Sequence, residues 1–319
     1  MIAEIFAPLA EGFPGALGLL DDAAVLTPRP GRDLIVTKDL MVAGVHFPAD
    51  DPARLVGKKL LRVNLSDLAA MGAHPVGYLL GIALPENSDL AWLKAFAGGL
   101  AEDQAAFGIT LVGGDTVATP GPVTVSLTAF GDVPAGEALT RSGAREGDQI
   151  MASGTIGDGV LGLGVASDDW GQLTETHRAY SLNRFQVPEP RLALGQRIRS
   201  LAHSAADVSD GLIADLGHIG SASGLGAVVQ AVDVPLSDAA RAALDIAGQS
   251  LLPDLLSGGD DYELVFTVAP GSVDQVLSLG HELGVRVTKI GRMVAGKGVQ
   301  VLDDAGSPIV LPSGGYSHF

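Results

Sequence analysis

Five short acidic signatures recur along this chain of 319 residues: Asp21-Asp22-Ala23-Ala24, Thr37-Lys38-Asp39, Asn64-Leu65-Ser66-Asp67, Gly113-Gly114-Asp115-Thr116 and Asp207-Val208-Ser209-Asp210-Gly211. Each is predicted to sit at a strand-to-turn or turn-to-helix junction. If the fold gathers these aspartates, something must neutralise them, because two carboxylates ~4 Å apart at an effective dielectric of ~20 repel by about 4 kcal/mol. Divalent cations do this. Hard oxygen donors with few histidines and no thiols suit Mg²⁺, which usually sits between one or two carboxylates and the phosphates of a substrate.

The signatures carry local alternatives. In Asp207-Val208-Ser209-Asp210 two carboxylates stand three residues apart where a strand is expected to turn into a helix. Both can face one point, and the helix N-terminus favours phosphate. Simple capping of that helix by Ser209 or Asp210 fits the same residues. Gly113-Gly114-Asp115-Thr116 follows the apolar run Ile109 to Val112 and suits either a backbone approach to phosphate or a plain tight turn. Asp67, mid-helix or at a helix break, needs a partner, which a metal or Lys58, Lys59 or Arg62 could supply. His46, between Val45 and Phe47, fits a packed histidine as well as a reactive one. Ser257-Gly258-Gly259-Asp260-Asp261-Tyr262-Glu263 reads as a second Gly-rich acidic turn, suited to a surface or to a substrate. The chain has no Gly-x-x-x-x-Gly-Lys-Ser/Thr loop and no His-Glu-x-x-His, so ATP chemistry would need another scaffold and zinc hydrolysis is unsupported.

Composition narrows the classes. With 47% hydrophobic and 18% charged residues the chain is not of the disordered type. The longest apolar stretch, around Tyr78 to Pro85, is too short for a membrane span. A net charge of −17 repels nucleic acid and anionic membranes, and the absence of cysteine removes disulfides, thiolate nucleophiles and thiolate metal sites. The N-terminus lacks a basic region and has an early Glu4, so the expected location is the cytoplasm.

The elements that must hold these residues alternate between strand and helix. Leu34 to Phe47 is predicted as a strand pair, Ala53 to Met71 as a helix, Val76 to Leu84 as a strand, and Ser88 as the cap of a helix running to Phe107. Strands follow at Ile109 to Val112 and Val123 to Phe130. The pattern relaxes near Asp132 to Gly136, which puts a domain boundary near residue 138 and predicts domains 1–138 and 139–319. The second domain is predicted to hold strands at Gln149 to Ala152, Ala227 to Val232, Tyr262 to Val268 and Val285 to Ile290. Its helices are expected near Val160 to Ala166, Arg191 to Leu201, Leu212 to Ile219 and Val273 to Leu283.

Taken in order, Gly18 to Leu26, Thr37 to Phe47, Val63 to Ala73, Gly113 to Thr116, Leu139 to Ala144, Asp207 to Leu212, Ser257 to Leu264 and the final Gly314 to Phe319 resemble the thiamine-monophosphate kinase family over nearly the whole chain. That family shares a superfamily with aminoimidazole ribonucleotide synthetase. The resemblance implies an α/β fold of the α+β type with two domains, its N-terminal sheet pairing across a homodimer. It further implies ATP-dependent phosphorylation of thiamine monophosphate with several Mg²⁺ ions. Carried over by motif, Asp22, Thr37, Asp39, Asp67, Asp115, Asp207 and Asp210 would hold the metal. Phe107, Gly114, Asp115, Arg141 and Ser209 would contact ATP, and His46, Asp260 and Tyr316 the thiamine phosphate. Asp207, Asp210 and Arg141 would form the catalytic set. The chain departs from the family's usual residues at Lys38 (commonly threonine), Asp260 (glutamate) and Phe107 (tyrosine). Two other readings are a synthetase-like ATP-dependent ligase and a non-catalytic acidic metal-binding protein.

Overall fold

The computed structural model describes residues 2–86 and 88–311, which divide into two compact units, Met1–Leu68 with Ala73–Gly136, and Ala69–Gly72 with Glu137–Phe319. The first contains β1 (Arg32–Val42), α1 (Ala53–Ala70), β2 (His74–Pro85), α2 (Leu90–Phe107), β3 (Thr110–Thr119) and β4 (Thr124–Pro134). Its sheet has the order β1-β4-β2-β3, with β2 and β3 parallel and the other pairs antiparallel. The second contains β5 (Gln149–Ser153), α3 (Asp158–Ala166), α4 (Glu175–Gln186), α5 (Leu192–Ile198), β6 (Ala202–Asp207), α6 (Leu212–Ser223), β7 (Gly226–Gln230), α7 (Asp238–Ala247), α8 (Leu252–Ser257), β8 (Leu264–Val268), α9 (Val273–Glu282), β9 (Val287–Val294) and β10 (Val299–Leu302). Its six strands run β10-β7-β9-β5-β8-β6. The mixed two-domain α/β class expected from the resemblance holds.

Helix α1 exists because Leu60, Leu61, Leu65 and Leu68 form a wholly buried stripe, which outweighs the weak helix propensity of Asn64, Ser66 and Asp67 between them. In the second unit α6 buries Leu212, Leu216 and Ile219 against Ile150, Val229, Val265 and Ile290 of the sheet, each side chain stabilising by about 1.5–3 kcal/mol.

Three expectations change. Leu34 to Phe47 is not a strand pair: β1 is a single strand whose partner is β4, and residues beyond Val42 turn back only as far as an isolated bridge between Ala43 and Phe47. Asp89, not Ser88, caps α2, its carboxylate accepting the Ala91 N–H at 2.9 Å. Most importantly, only the Asp21 and Asp207 signatures lie in a bend or at a junction. Thr37-Lys38-Asp39 is mid-strand in β1, Asn64 to Asp67 is inside α1, and Gly113 to Thr116 continues β3, paired with Leu79 to Ile82 of β2. The β2 ladder supplies backbone partners that local turn chemistry at two glycines cannot match.

Candidate active site

In the first unit the period-2 alternation of β1 points Thr37, Asp39 and Met41 to one face, and the three-residue spacing in α1 brings Asn64 and Asp67 to meet them. The Thr37 hydroxyl donates to Asp67 Oδ2 at 2.5 Å, and the Asp39 N–H donates to Asn64 Oδ1 at 3.1 Å. Asn64 is wholly buried and its amide nitrogen donates to the Leu60 carbonyl, which locks its orientation. Burial, and then the neighbouring Asp67 charge, push the Asp39 carboxyl up to about 7. A hydroxyl and two crowded carboxylates are the donor set a hard divalent cation accepts, so these residues fit Mg²⁺. Of the basic residues near Asp67, Lys58 binds Glu102 and Asp103, Arg62 binds Asp103, and the Lys59 ammonium donates to the His46 carbonyl at 3.4 Å.

Asp115 is not part of that group in this chain. It is exposed on β3, accepting the Thr116 N–H at 2.8 Å, and its register through Gly81 and Ser126 to Leu40 sets it on the sheet face opposite Thr37 and Asp39. Three strand spacings, about 14 Å, also intervene. Gly114 precedes it in the strand, and Asp22 lies in an exposed bend before β1. His46 Nδ1 accepts the Val42 N–H at 3.1 Å, closing the turn after β1 and leaving any ring proton of the neutral form on Nε2. Phe107 ends α2 with the Arg62 guanidinium 5.2 Å from its ring centre.

In the second unit β6 ends at the buried Asp207, and the loop to α6 is held by a residue that sequence reasoning missed. Asp215, wholly buried on α6, accepts the Ser209 N–H at 3.0 Å and the Asp210 N–H at 3.1 Å on Oδ2. Its carboxyl is pushed up to about 7 by burial and then by Asp210, while the Ser209 and Asp210 N–H bonds and the positive charge of Arg141 act in the opposite sense. Ligand atoms of Asp210, Asp215 and His218 lie within 4.8 Å of one another. The available signal was an aspartate between Leu212 and Leu216 on a face that had to be buried.

The 257–263 loop is stitched to this one. The Asp260 N–H donates to Ser209 O at 2.9 Å and the Tyr262 N–H to Val208 O at 2.8 Å. Only glycines permit so close an approach: a Cβ at Gly259 would lie 2.2 Å from Ser209 O, and one at Gly211 (φ +117°) 2.3 Å from Ser257 O. Asp207, Ser209, Asp210 and Asp260 are therefore assembled on adjoining loops, with the Arg141 charge acting on the same cluster. Tyr316 lies outside the described residues.

Residues 20–133 match the N-terminal domain of AIR synthase related proteins and residues 145–304 the C-terminal domain. The thiamine-monophosphate kinase of Caulobacter vibrioides is 50% identical over 300 residues, 93% of this chain and 84% of that protein. A crystal structure of the thiamine-monophosphate kinase from Stenotrophomonas maltophilia superposes with a TM-score of 0.82 at 43% identity, covering 89% of each chain. AaThiL complexed with AMPPCP and TMP gives a TM-score of 0.80 at 28% identity, covering 94% of this chain and 91% of that one.

Proposed function

Because the chain belongs to the thiamine-monophosphate kinase family of AIR synthase related proteins, we propose that it transfers the γ-phosphoryl group of ATP to the phosphate of thiamine monophosphate, giving thiamine diphosphate and ADP. The observation that carries this reading in the chain's own chemistry is the Thr37, Asp39 and Asp67 group, where burial and the neighbouring Asp67 push the Asp39 carboxyl up to about 7, a crowding that a cation would relieve. The likeness to AaThiL with AMPPCP and TMP supports the two substrates.

The acceptor phosphate is already ionised, so an in-line attack on the γ-phosphorus needs alignment and charge neutralisation more than a general base. Asp22, Thr37, Asp39 and Asp67 in the first unit, and Asp207 and Asp210 in the second, are the residues that would hold Mg²⁺, which would supply charge neutralisation at the reacting phosphates. Asp115, on the opposite sheet face, would stand apart from the Thr37, Asp39 and Asp67 group. The exposed Arg141 guanidinium clamps nucleotide phosphates in a bidentate manner, and the Ser209 hydroxyl and the backbone at Gly114 donate to them. Phe107 offers its ring to adenine. The family resemblance assigns Asp260 and Tyr316 to the cationic thiazolium and His46 to the rest of the substrate, and Asp260 reaches one methylene less far than the usual glutamate.

A second copy of the chain is the expected partner. Leu34, Val36 and Leu40 of β1, Leu79 of β2 and Val117 of β3 are all exposed on the sheet face opposite Thr37, and Val36 retains 55% of its surface. Covering the exposed part of each would contribute roughly half of the about 1.5–3 kcal/mol of a full burial, set against the cost of association. The test of function is incubation of the purified chain with ATP, Mg²⁺ and thiamine monophosphate. Thiamine diphosphate must appear and excess chelator must abolish it; no product refutes the reading. Offering aminoimidazole-type acceptors in parallel separates the ligase alternative. Magnesium binding unchanged by a non-hydrolysable ATP analogue would favour a non-catalytic metal-binding protein.

A further inference from the structure

Behind the 257–263 loop lies a group of charged side chains for which the reaction has no direct use. Glu263 is wholly buried and receives Arg191 through two bonds of 2.7 and 2.6 Å, Arg184 at 2.8 Å and the Ser153 hydroxyl at 2.6 Å. Arg184 also donates to the Asp261 carbonyl at 3.2 Å. Asp261, 1% exposed, spans outward to another segment: its two carboxylate oxygens accept the Gly157 N–H at 2.8 Å and the Gly159 N–H at 2.9 Å.

Between these anchors the backbone is forced into an unfavourable shape. Asp260 (φ +67°) and Tyr262 (φ +51°) both occupy the left-handed region, which costs a residue with a Cβ of order 1–3 kcal/mol and persists only where the surroundings over-determine it. The outcome of that conformation is specific. It sends Asp261 inward to the Gly157 and Gly159 amides, seats the Asp260 N–H on Ser209 O, and lets the Tyr262 hydroxyl donate to Asp260 Oδ1 at 3.0 Å.

We propose that Asp261 and Tyr262 are positioning residues for the phosphoryl transfer: Asp261 clamps the loop to the Gly157–Gly159 turn, and Tyr262 aims the Asp260 carboxylate at the substrate. This rests on the thiamine monophosphate reading above. It explains how an aspartate, one methylene shorter than the family's glutamate, serves in a site that tolerates little misplacement: its backbone and its carboxylate are both fixed before substrate arrives.

Two variants test it. Asp261→Asn keeps the shape but can accept only one of the two glycine N–H groups and opposes the other with its own N–H. Tyr262→Phe removes a single hydroxyl and leaves the core untouched. The expected result is a rise in KM for thiamine monophosphate of about 10-fold or more in Asp261→Asn and a smaller, roughly 3-fold rise in Tyr262→Phe. KM for ATP should stay within about twofold in both, and amide exchange at Gly157 and Gly159 should accelerate in Asp261→Asn alone. A merely structural role would reduce the active fraction, lowering kcat with both KM values unmoved, and that outcome overturns the proposal. Should Asp261→Asn not fold, an unchanged KM in Tyr262→Phe does the same. A wild-type chain inactive on thiamine monophosphate would overturn the substrate reading and this one with it, whereas an active wild type with unaltered variants overturns only the positioning role.

Discussion

Replacing Asp39 by asparagine should stabilise the metal-free protein at neutral pH and destabilise its response to magnesium. The Asp39 carboxyl rises from 3.8 to about 7 through burial and the Asp67 charge, so the folded chain holds that proton more tightly than the unfolded chain does. Stability from this group is complete below the ordinary aspartate range and is lost as pH climbs through about 7. At about 1.4 kcal/mol per tenfold change in proton affinity, the full loss is about 4 kcal/mol, of which roughly 2–3 kcal/mol falls between about pH 5 and about pH 8. Asparagine cannot ionise and escapes the loss. Thermal melts of wild type and Asp39→Asn in chelator at both pH values should therefore diverge, the variant gaining about 5–10 °C on wild type at the higher pH. Millimolar Mg²⁺ should reverse the order, because a cation bound only by the folded state stabilises the chain that retains its ligand. Parallel melting curves across this pH range in chelator, or equal stabilisation of both proteins by Mg²⁺, would refute the reasoning.

Asp207→Asn, at the end of β6, should lower kcat at least about 100-fold while the melting temperature stays within a few degrees, since its 3% exposure leaves the shape of the side chain as the main packing requirement; near-normal turnover removes it from the metal site. Arg141→Lys keeps the charge and loses the planar fork, so KM for ATP should rise about 10-fold in steady-state assays, and an unchanged KM would deny the phosphate clamp. Val36→Asp, on the open face of β1, should leave the monomer folded and shift its mass in light scattering from two chains to one; a dimer that survives puts the interface elsewhere.

What could be read from the residues and what could not divide along a physical line. The Thr37-Lys38-Asp39 signature was legible as chemistry, yet its position was misjudged: it lies mid-strand because β4 pairs with it along its whole length. Gly113 to Thr116 looked like a turn for the same reason, as local propensity cannot register a ladder formed with residues more than thirty positions away. Asp215 escapes notice because it belongs to no acidic signature, and Tyr262 stands in the 257–263 acidic turn without a visible role; their importance lies in the backbone groups and the side chain that they hold.

Residue types and their order along the chain thus determined the class of chemistry: hard oxygen donors, no thiols, a strongly negative field, and motifs shared in series with one family. Tertiary structure alone decided which acids meet. Thr37, Asp39, Asn64 and Asp67 are joined because a strand of period 2 lies against a helix of period 3.6, and Asp115 is separated because strand register sends it to the other face. The donor inventory is a property of each residue by itself, whereas the electrostatic crowding that invites a cation exists only when distant segments pack and exclude water between them.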